Sequence, residues 1–135
     1  MFQNLRGAIT TVAKGILALI SGRSVVFVIS GQSMEPTLLE GDWVLIRRTT
    51  RVFPGEIVVA ERSNSNKLDI VKRMAFSLPI KSSNPDHLFL KGDNESASTD
   101  SRDFGPINAT DVLGVVWLCY WPLKRIQLFL PADAG

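Results

Sequence analysis

The hydrophobic residues of this 135-residue chain fall into short runs that are separated by turn residues. Runs that are rich in β-branched and aromatic residues are typical of strands. The first run ends at Gly31 and the second follows the Glu40-Gly41-Asp42 turn. The third follows Pro54-Gly55, where proline fixes φ and glycine accepts a positive φ. The pattern predicts strands at residues 24–30, 43–48, 56–61, 68–75, 87–91 and 112–120.

Many short strands joined by glycine and proline turns indicate a mainly β domain of antiparallel strands, sandwich-like or barrel-like. A parallel sheet with crossover helices is not expected. The length suits one domain with one core, which we place at residues 24–122. A C-terminal tail covers residues 123–135, and a short helix is predicted there at 123–130, after Pro122.

Residues 1–23 show a helical pattern in place of the strand pattern. Lys14 interrupts the apolar stretch, and the uncharged piece at 15–22 is far shorter than the roughly 20 residues of a spanning helix. We therefore expect an amphipathic helix that contacts a membrane surface or packs on the domain, or a degenerate anchor, and no true span. Apolar residues recur at helical spacing at Leu5, Ile9, Val12, Ile16 and Leu19.

Charge and composition exclude several classes of function. The net charge of +2 is too small to indicate nucleic-acid binding, and no basic tract is interleaved with aromatic residues. Cys119 is the single cysteine, so the chain forms no internal disulfide. With His87 as the single histidine, and no calcium-loop spacing of acidic residues, we expect no metal site. A basic cluster, solvated or in contact with an acidic partner or anionic lipid, comprises Arg47, Arg48 and Arg51.

The first candidate for chemistry is the run Ser30-Gly31-Gln32-Ser33-Met34-Glu35-Pro36-Thr37-Leu38. Gly31 permits a close backbone approach just before Ser33. Met34 offers an adaptable apolar wall beside the Ser33 hydroxyl, and Pro36 sets a turn. Ser33 is thus either a nucleophile or an ordinary serine in a polar loop between two strands.

A serine hydroxyl is a weak nucleophile until a base takes its proton, and lysine can be that base if burial lowers its pKa. Lys72 lies in the predicted strand 68–75. Because side chains alternate along a strand, Lys72 shares a face with Ile70, while Arg73 points to the other face. Lys72 is therefore desolvated if that face is inward. Otherwise Lys72 and Arg73 are exposed charges at a strand end.

The third run, Gly92-Asp93-Asn94-Glu95-Ser96-Ala97-Ser98-Thr99-Asp100-Ser101-Arg102, is rich in side chains that hydrogen-bond to nearby backbone. It is either a solvated loop or a support for the lysine. In the second case an Asp100–Arg102 ion pair would stiffen the loop. Ser98 would then orient the amine by accepting a hydrogen bond.

These three motifs, in this order, resemble the type I signal peptidase family, whose serine/lysine peptidases remove leader peptides. The resemblance covers about residues 30–121. It implies Ser33 as the nucleophile and Lys72 as the general base, with no metal or organic cofactor. It also implies that Ser98 orients the base, that Asp100 and Arg102 form a structural ion pair, and that substrate contacts Met34 and Pro36.

The departures from the family narrow the expectation. Many secretory members carry an oxyanion-hole serine two residues before the nucleophile, where this chain has Gly31. The hole would then use the Ser33 backbone N–H and another donor. The motif details and the late Tyr-Trp-Pro are similar to the maturation protease of nickel-type superoxide dismutase. The implied substrate is a precursor with an N-terminal leader, nickel superoxide dismutase being favoured, and the implied location is cytoplasmic, peripheral on the inner membrane through residues 1–23.

Three other interpretations stay open. The first is a membrane-anchored leader peptidase for exported proteins, which requires residues 5–22 to span despite Lys14. The second is a self-cleaving peptidase of the SOS-repressor kind, although no Ala-Gly or Cys-Gly cleavage site precedes Ser33. The third is a catalytically inactive binding module on the same fold.

Overall fold

The computed structural model describes residues 24–62, 68–78 and 87–129. These residues form a mainly β domain with little helix, in which all strand pairs are antiparallel. One four-residue helix, α1, covers Ser101–Phe104. The strands are β1 (Ser24–Val28), β2 (Trp43–Arg47), β3 (Ile57–Arg62), β4 (Leu68–Leu78), β5 (His87–Lys91), β6 (Ile107–Asn108), β7 (Val112–Trp121) and β8 (Gln127–Leu128).

The eight described strands belong to one sheet in the order β1-β2-β7-β3-β4-β5-β6, and β8 pairs with β7 beside this path. Strand β3 lies near the middle, and its residues Ile57–Ala60 are all buried. Ile57 and Val59 belong to one apolar cluster, whereas Val58 and Ala60 belong to a second. Because neighbouring side chains leave opposite faces of a strand, the sheet carries an apolar core on each face.

The prediction of a mainly β domain of short antiparallel strands is confirmed, and the structure adds that the described strands share one sheet. All six predicted strands are present, and β5 has the predicted bounds. Strand β4 continues to Leu78, three residues beyond its prediction. The two-residue strands β6 and β8 were not predicted, since so few residues show no alternation.

The predicted helix at 123–130 is wrong. A single 3-10 turn, Leu123–Arg125, follows Pro122, and the chain then becomes extended as β8. Leu128 pairs with Leu118, and the Phe129 N–H donates to the Trp117 carbonyl at 2.9 Å. An isolated helix of about eight residues is marginal, so pairing with β7 satisfies these backbone groups better. Leu130 lies outside the described residues.

The predicted amphipathic helix at residues 1–23 lies outside the described residues. Within the described part of the chain, no helix has both the length and the apolar character needed to cross a membrane.

Candidate active site

Ser33 lies in the connection between β1 and β2, residues 29–42, which we call the serine loop. The loop is closed at its base, where the Ile29 N–H donates to the Asp42 carbonyl at 2.8 Å. Leu38 is fully buried in the first apolar cluster and anchors the loop to the core. Ser33 itself is half-buried, so it remains accessible from solvent while the loop that carries it is anchored to the core.

The two predicted substrate contacts, Met34 and Pro36, differ in their exposure to solvent. Met34 is 1% exposed and packs in the first apolar cluster, so in this structure it holds the serine loop against the core. Pro36 is exposed. Contact of either residue with substrate stays a prediction, and Pro36 is the more accessible of the two.

Lys72 lies in the middle of β4, opposite Val58 of β3, and is only 5% exposed. Met74 belongs to the second apolar cluster and Ile70 packs against it, while Val71 packs against the first. The predicted alternation is therefore confirmed, and the alternative of an exposed strand-end lysine is wrong.

Burial lowers the pKa of the Lys72 amine, because it disfavours the charged form, and the negative charge of Asp100 raises it in part. The net shift is downward from the usual 10.5. This environment shifts the equilibrium towards the neutral amine, which is the form that can accept a proton.

The loop that follows β5, residues 92–102, is the base-support loop, and its centre is the fully buried carboxylate of Asp100. Asp100 accepts hydrogen bonds from the Gly92 N–H at 3.0 Å and the Ser98 hydroxyl at 2.9 Å. Arg102 donates to it from Nε at 2.9 Å and from Nη2 at 3.0 Å, which confirms the predicted ion pair. Burial alone would raise the pKa of Asp100, but these hydrogen bonds hold it well below its usual range.

The Ser33 backbone carbonyl and the Ser98 side chain both lie against Gly92. A Cβ placed on Gly92 would lie 2.6 Å from the Ser33 carbonyl oxygen and closer still to the Ser98 side chain. Gly92 therefore allows Ser33 and Ser98 to approach the same point. The Ser98 hydroxyl donates its hydrogen bond to Asp100, so the lone pairs of its oxygen can accept a hydrogen bond from a neighbouring amine.

Asn94 joins the base-support loop to the serine loop. Its backbone N–H donates to the Ser33 carbonyl at 2.9 Å, and its side-chain Nδ2 donates to the Gln32 carbonyl at 3.1 Å. No local pattern predicts this role, since Asn94 and Gln32 lie 62 positions apart.

A second link passes through Arg73, which lies on the face of β4 opposite Lys72. Its guanidinium donates to both carboxylate oxygens of Asp93, at 2.8 Å each, and to the Gly55 carbonyl at 2.8 Å. Asp93 also accepts from the Thr37 hydroxyl at 2.5 Å. The Arg73 hydrogen bond lowers the pKa of Asp93, so the link is ionic at neutral pH. The sequence places Arg73 beside Lys72, and Asp93 shortly after β5, so this ion pair could have been proposed from the sequence.

The C-terminal segment also reaches the serine loop. Arg125 donates from Nε and Nη2 to the buried carboxylate of Asp42, at 2.9 to 3.1 Å, and from Nη2 to the Thr37 carbonyl at 3.4 Å. Asp42 in turn accepts from the Leu39 N–H at 2.9 Å. The sequence reasoning missed this pair, whose members lie 83 positions apart.

Gly31, the position where many secretory peptidases carry a serine, has φ of 84°. Residues with a side chain rarely adopt this conformation, so the turn itself favours glycine. Its N–H donates to Glu40 at 3.3 Å. Gly31 has no side-chain donor to offer, as the sequence indicated.

The chain is similar in sequence to several named peptidases. The chain is 34% identical to the human mitochondrial inner membrane protease subunit 1 over 124 residues, which cover 78% of this chain and 75% of the relative. It is 33% identical to the Xenopus tropicalis protein of the same name over 117 residues, 73% of this chain and 70% of the relative. It is 28% identical to the Arabidopsis thaliana chloroplastic thylakoidal processing peptidase 1 over 88 residues, 65% of this chain and 24% of the relative.

The model of the family described as Peptidase S24-like matches residues 3–116. The resemblance to leader-processing peptidases is thereby confirmed at the level of a peptidase family. This chain belongs to the Peptidase S24-like family.

Proposed function

We propose that this protein is a serine endopeptidase that uses Ser33 and Lys72 to remove an N-terminal leader from a precursor protein. The observation that carries the proposal is Lys72, a buried lysine with a lowered pKa. The base-support loop, which carries Asp100, is hydrogen-bonded to the backbone of Ser33. Membership of a peptidase family and the printed names of the relatives support the same conclusion.

The proposed reaction is acyl transfer. The neutral amine of Lys72 takes the proton of Ser33 Oγ as that oxygen attacks the scissile carbonyl. The backbone N–H of Ser33 and a second donor stabilise the oxyanion of the tetrahedral intermediate. The Lys72 ammonium then gives its proton to the leaving amine, and the C–N bond breaks. In the second half, Lys72 takes a proton from water as the water oxygen attacks the acyl-enzyme, and the ammonium gives that proton to Ser33 Oγ as the acyl–oxygen bond breaks.

In this mechanism the base-support loop positions the lysine and adjusts its basicity. The Ser98 hydroxyl, turned by its bond to Asp100, presents lone pairs to the amine. Arg102 holds Asp100 in place and is itself a positioning residue. The carboxylate of Asp100 opposes the effect of burial on the Lys72 pKa, which keeps the amine basic enough to accept a proton.

The substrate would bind as an extended strand. Strand β1 stands at one end of the sheet, and side chains of Val26 and Val28 are 49% and 46% exposed. An extended peptide can pair with such an edge and place small side chains in shallow pockets. We expect the serine loop, at Met34 and Pro36, to contact the residues next to the scissile bond.

Nickel superoxide dismutase precursor is the substrate we propose to test first, because the motif details resemble its maturation protease. The purified full chain is incubated with the precursor, and the new N-terminus is read by mass spectrometry. We expect a single cut, with Ser33→Ala and Lys72→Ala each lowering the rate by about four orders of magnitude. Matched controls are Ser77→Ala and Lys124→Ala, both at exposed positions. Full activity in either active-site variant would overturn the assignment.

A membrane-associated leader peptidase for exported proteins is the second candidate, and the names of the mitochondrial and thylakoidal relatives favour it. Fractionation of cells with and without detergent separates the two candidates. Recovery with membranes, together with cleavage of an exported precursor and not of the dismutase precursor, would select the membrane enzyme. Recovery in the soluble fraction with the dismutase cut would select the first candidate.

An inactive binding module is tested by chemistry at Ser33. An acylating inhibitor should label Ser33 in the full chain and give no label in Ser33→Ala. A folded protein that resists labelling and cleaves neither precursor would be a binding module.

A further inference from the structure

A polar cavity lies at the end of β5 opposite the base-support loop. It has a volume of about 150 Å³, and its lining includes Arg62, His87, Phe104, Asn108 and Asp111. Arg62 ends β3, His87 begins β5, and Phe104 ends α1, so three separate elements build it. None of these five residues takes part in the proposed peptidase reaction.

Arg62 is held at this cavity by an aromatic ring. Its guanidinium carbon lies 4.4 Å from the centre of the Phe104 ring, a stacking arrangement that fixes the guanidinium plane. Among the described residues, its Nε–H is buried and makes no hydrogen bond. A buried N–H without an acceptor is costly, so an acceptor that enters the cavity would relieve that cost.

The geometry of the free donor indicates the ligand. Nε and Nη of arginine form a planar fork that matches two oxygens of a phosphate or carboxylate. The Asn108 side-chain oxygen already accepts from the Thr110 backbone and hydroxyl, at 3.1 and 3.0 Å, so its NH₂ group is the end left to donate. His87 adds a second ring that can donate a hydrogen bond.

Asp111 lines the same cavity and can only accept while it is ionised. A ligand that suits both Arg62 and Asp111 therefore needs oxygens that accept and one O–H that donates. Inorganic phosphate carries such a P–OH group at neutral pH and a phosphomonoester carries it in its monoanionic form, whereas sulfate and phosphodiesters do not.

We propose that this cavity binds a phosphate group with a free P–OH, through the Arg62 fork and the Asp111 carboxylate. The site does not depend on Ser33 or Lys72, so its test is a binding measurement that can succeed or fail whether or not the protein is a peptidase.

Isothermal titration calorimetry of the full chain uses inorganic phosphate, sulfate and glycerol 3-phosphate as separate probes. We expect saturable one-site binding of inorganic phosphate, with sulfate at least tenfold weaker. Binding of glycerol 3-phosphate as well would show that esters are ligands, and its failure would assign the site to the free ion. Asp111→Asn should abolish the preference for phosphate over sulfate.

Arg62→Met should remove phosphate binding. The control Arg51→Met should leave it unchanged, because Arg51 lies outside this cavity. Arg51 is a matched control since it also stacks on an aromatic ring, Phe53, at 5.6 Å. Arg62→Lys keeps the charge without the fork and should bind at least tenfold more weakly, which serves as the test if Arg62→Met does not fold. The proposal is overturned if the native chain shows no saturable phosphate binding, if Arg62→Lys binds as the native chain does, or if sulfate binds as well as phosphate.

Discussion

At Lys72, burial and the carboxylate of Asp100 shift the pKa of the amine in opposite directions, and burial has the larger effect. If neutral Lys72 is the base, kcat/KM should rise with pH as the amine loses its proton, with a midpoint below the usual 10.5. Asp100→Asn removes the influence that raises the pKa, so the midpoint should move to lower pH. The measurement is the pH profile of kcat/KM for the native chain and the variant.

Asp93→Asn is the matched control for that profile. Its carboxylate pairs with Arg73, and Asp93 is not among the groups that shift the Lys72 pKa. The control should lose some activity while its midpoint stays in place. A midpoint that rises or stays fixed in Asp100→Asn would contradict the role given to Lys72.

Gly92→Ala tests the contact between the two loops. The added methyl group would overlap the Ser98 side chain and approach the Ser33 carbonyl to 2.6 Å, so one loop must move. We expect at least about a hundredfold loss of kcat, since displacement of about 1 Å costs that much in an active site.

Gly114→Ala is the corresponding control, because its Cβ would meet the backbone of Arg47 between β7 and β2, away from Ser33. Both variants should unfold at lower temperature in a thermal melt. Only Gly92→Ala should lose activity in the fraction that remains folded, and equal losses of activity would reject the assigned contact.

Some roles at the site could be predicted from the sequence and others could not. Lys72 could be placed on an inward face by alternation, and its burial confirms that step. Asn94 could not be assigned a role, because its partners belong to a loop that folding alone brings to it. The catalytic roles of Ser33 and Lys72 stay predictions until cleavage is measured.

At the scale of elements, strands with their own pattern were predictable and those that depend on a neighbour were not. Strand β5 alternates half-buried and buried residues and was predicted at both ends. Strand β8 has two residues and exists because β7 offers an edge to pair with. The local sequence does not indicate that such an edge is available, so the tail was wrongly predicted as a helix.

The Asp42–Arg125 ion pair ties this tail to the serine loop and should matter for stability. Asp42 is 1% exposed, so Arg125→Ala leaves a buried carboxylate without its partner. Breaking such a pair costs about 3 kcal/mol, and we expect the free energy of unfolding to fall by about that amount. Urea denaturation measures it.

Lys124→Ala is the control, because Lys124 is the exposed neighbour of Arg125, and it should change stability by less than about 0.5 kcal/mol. The double variant Asp42→Asn with Arg125→Met should recover part of the loss, since no charge is then left unpaired. A loss as large in the double variant as in Arg125→Ala would show that the charge of Asp42 is not the cause.

For the whole molecule, composition and strand pattern predicted a mainly β domain but not the order of its strands. Strand β7, late in the chain, lies between β2 and β3, and it brings the two early strands into one sheet. Pairings of this kind depend on contacts between distant segments, which a local pattern does not specify. The same order leaves β1 at one end of the main path and β6 at the other.

These two ends allow an internal comparison of where substrate binds. If the precursor pairs with β1, the backbone N–H groups of Ser24–Val28 should exchange more slowly with deuterium in the complex. The Ser33→Ala variant keeps the precursor uncut during the measurement. Ile107–Asn108 provides the control, because β6 lies at the opposite end of the described strand order and a peptide that pairs with β1 does not contact it. Slower exchange at β6 alone, or at neither end, would mean that substrate does not bind by pairing with β1, and the serine loop would then have to receive the peptide from another direction.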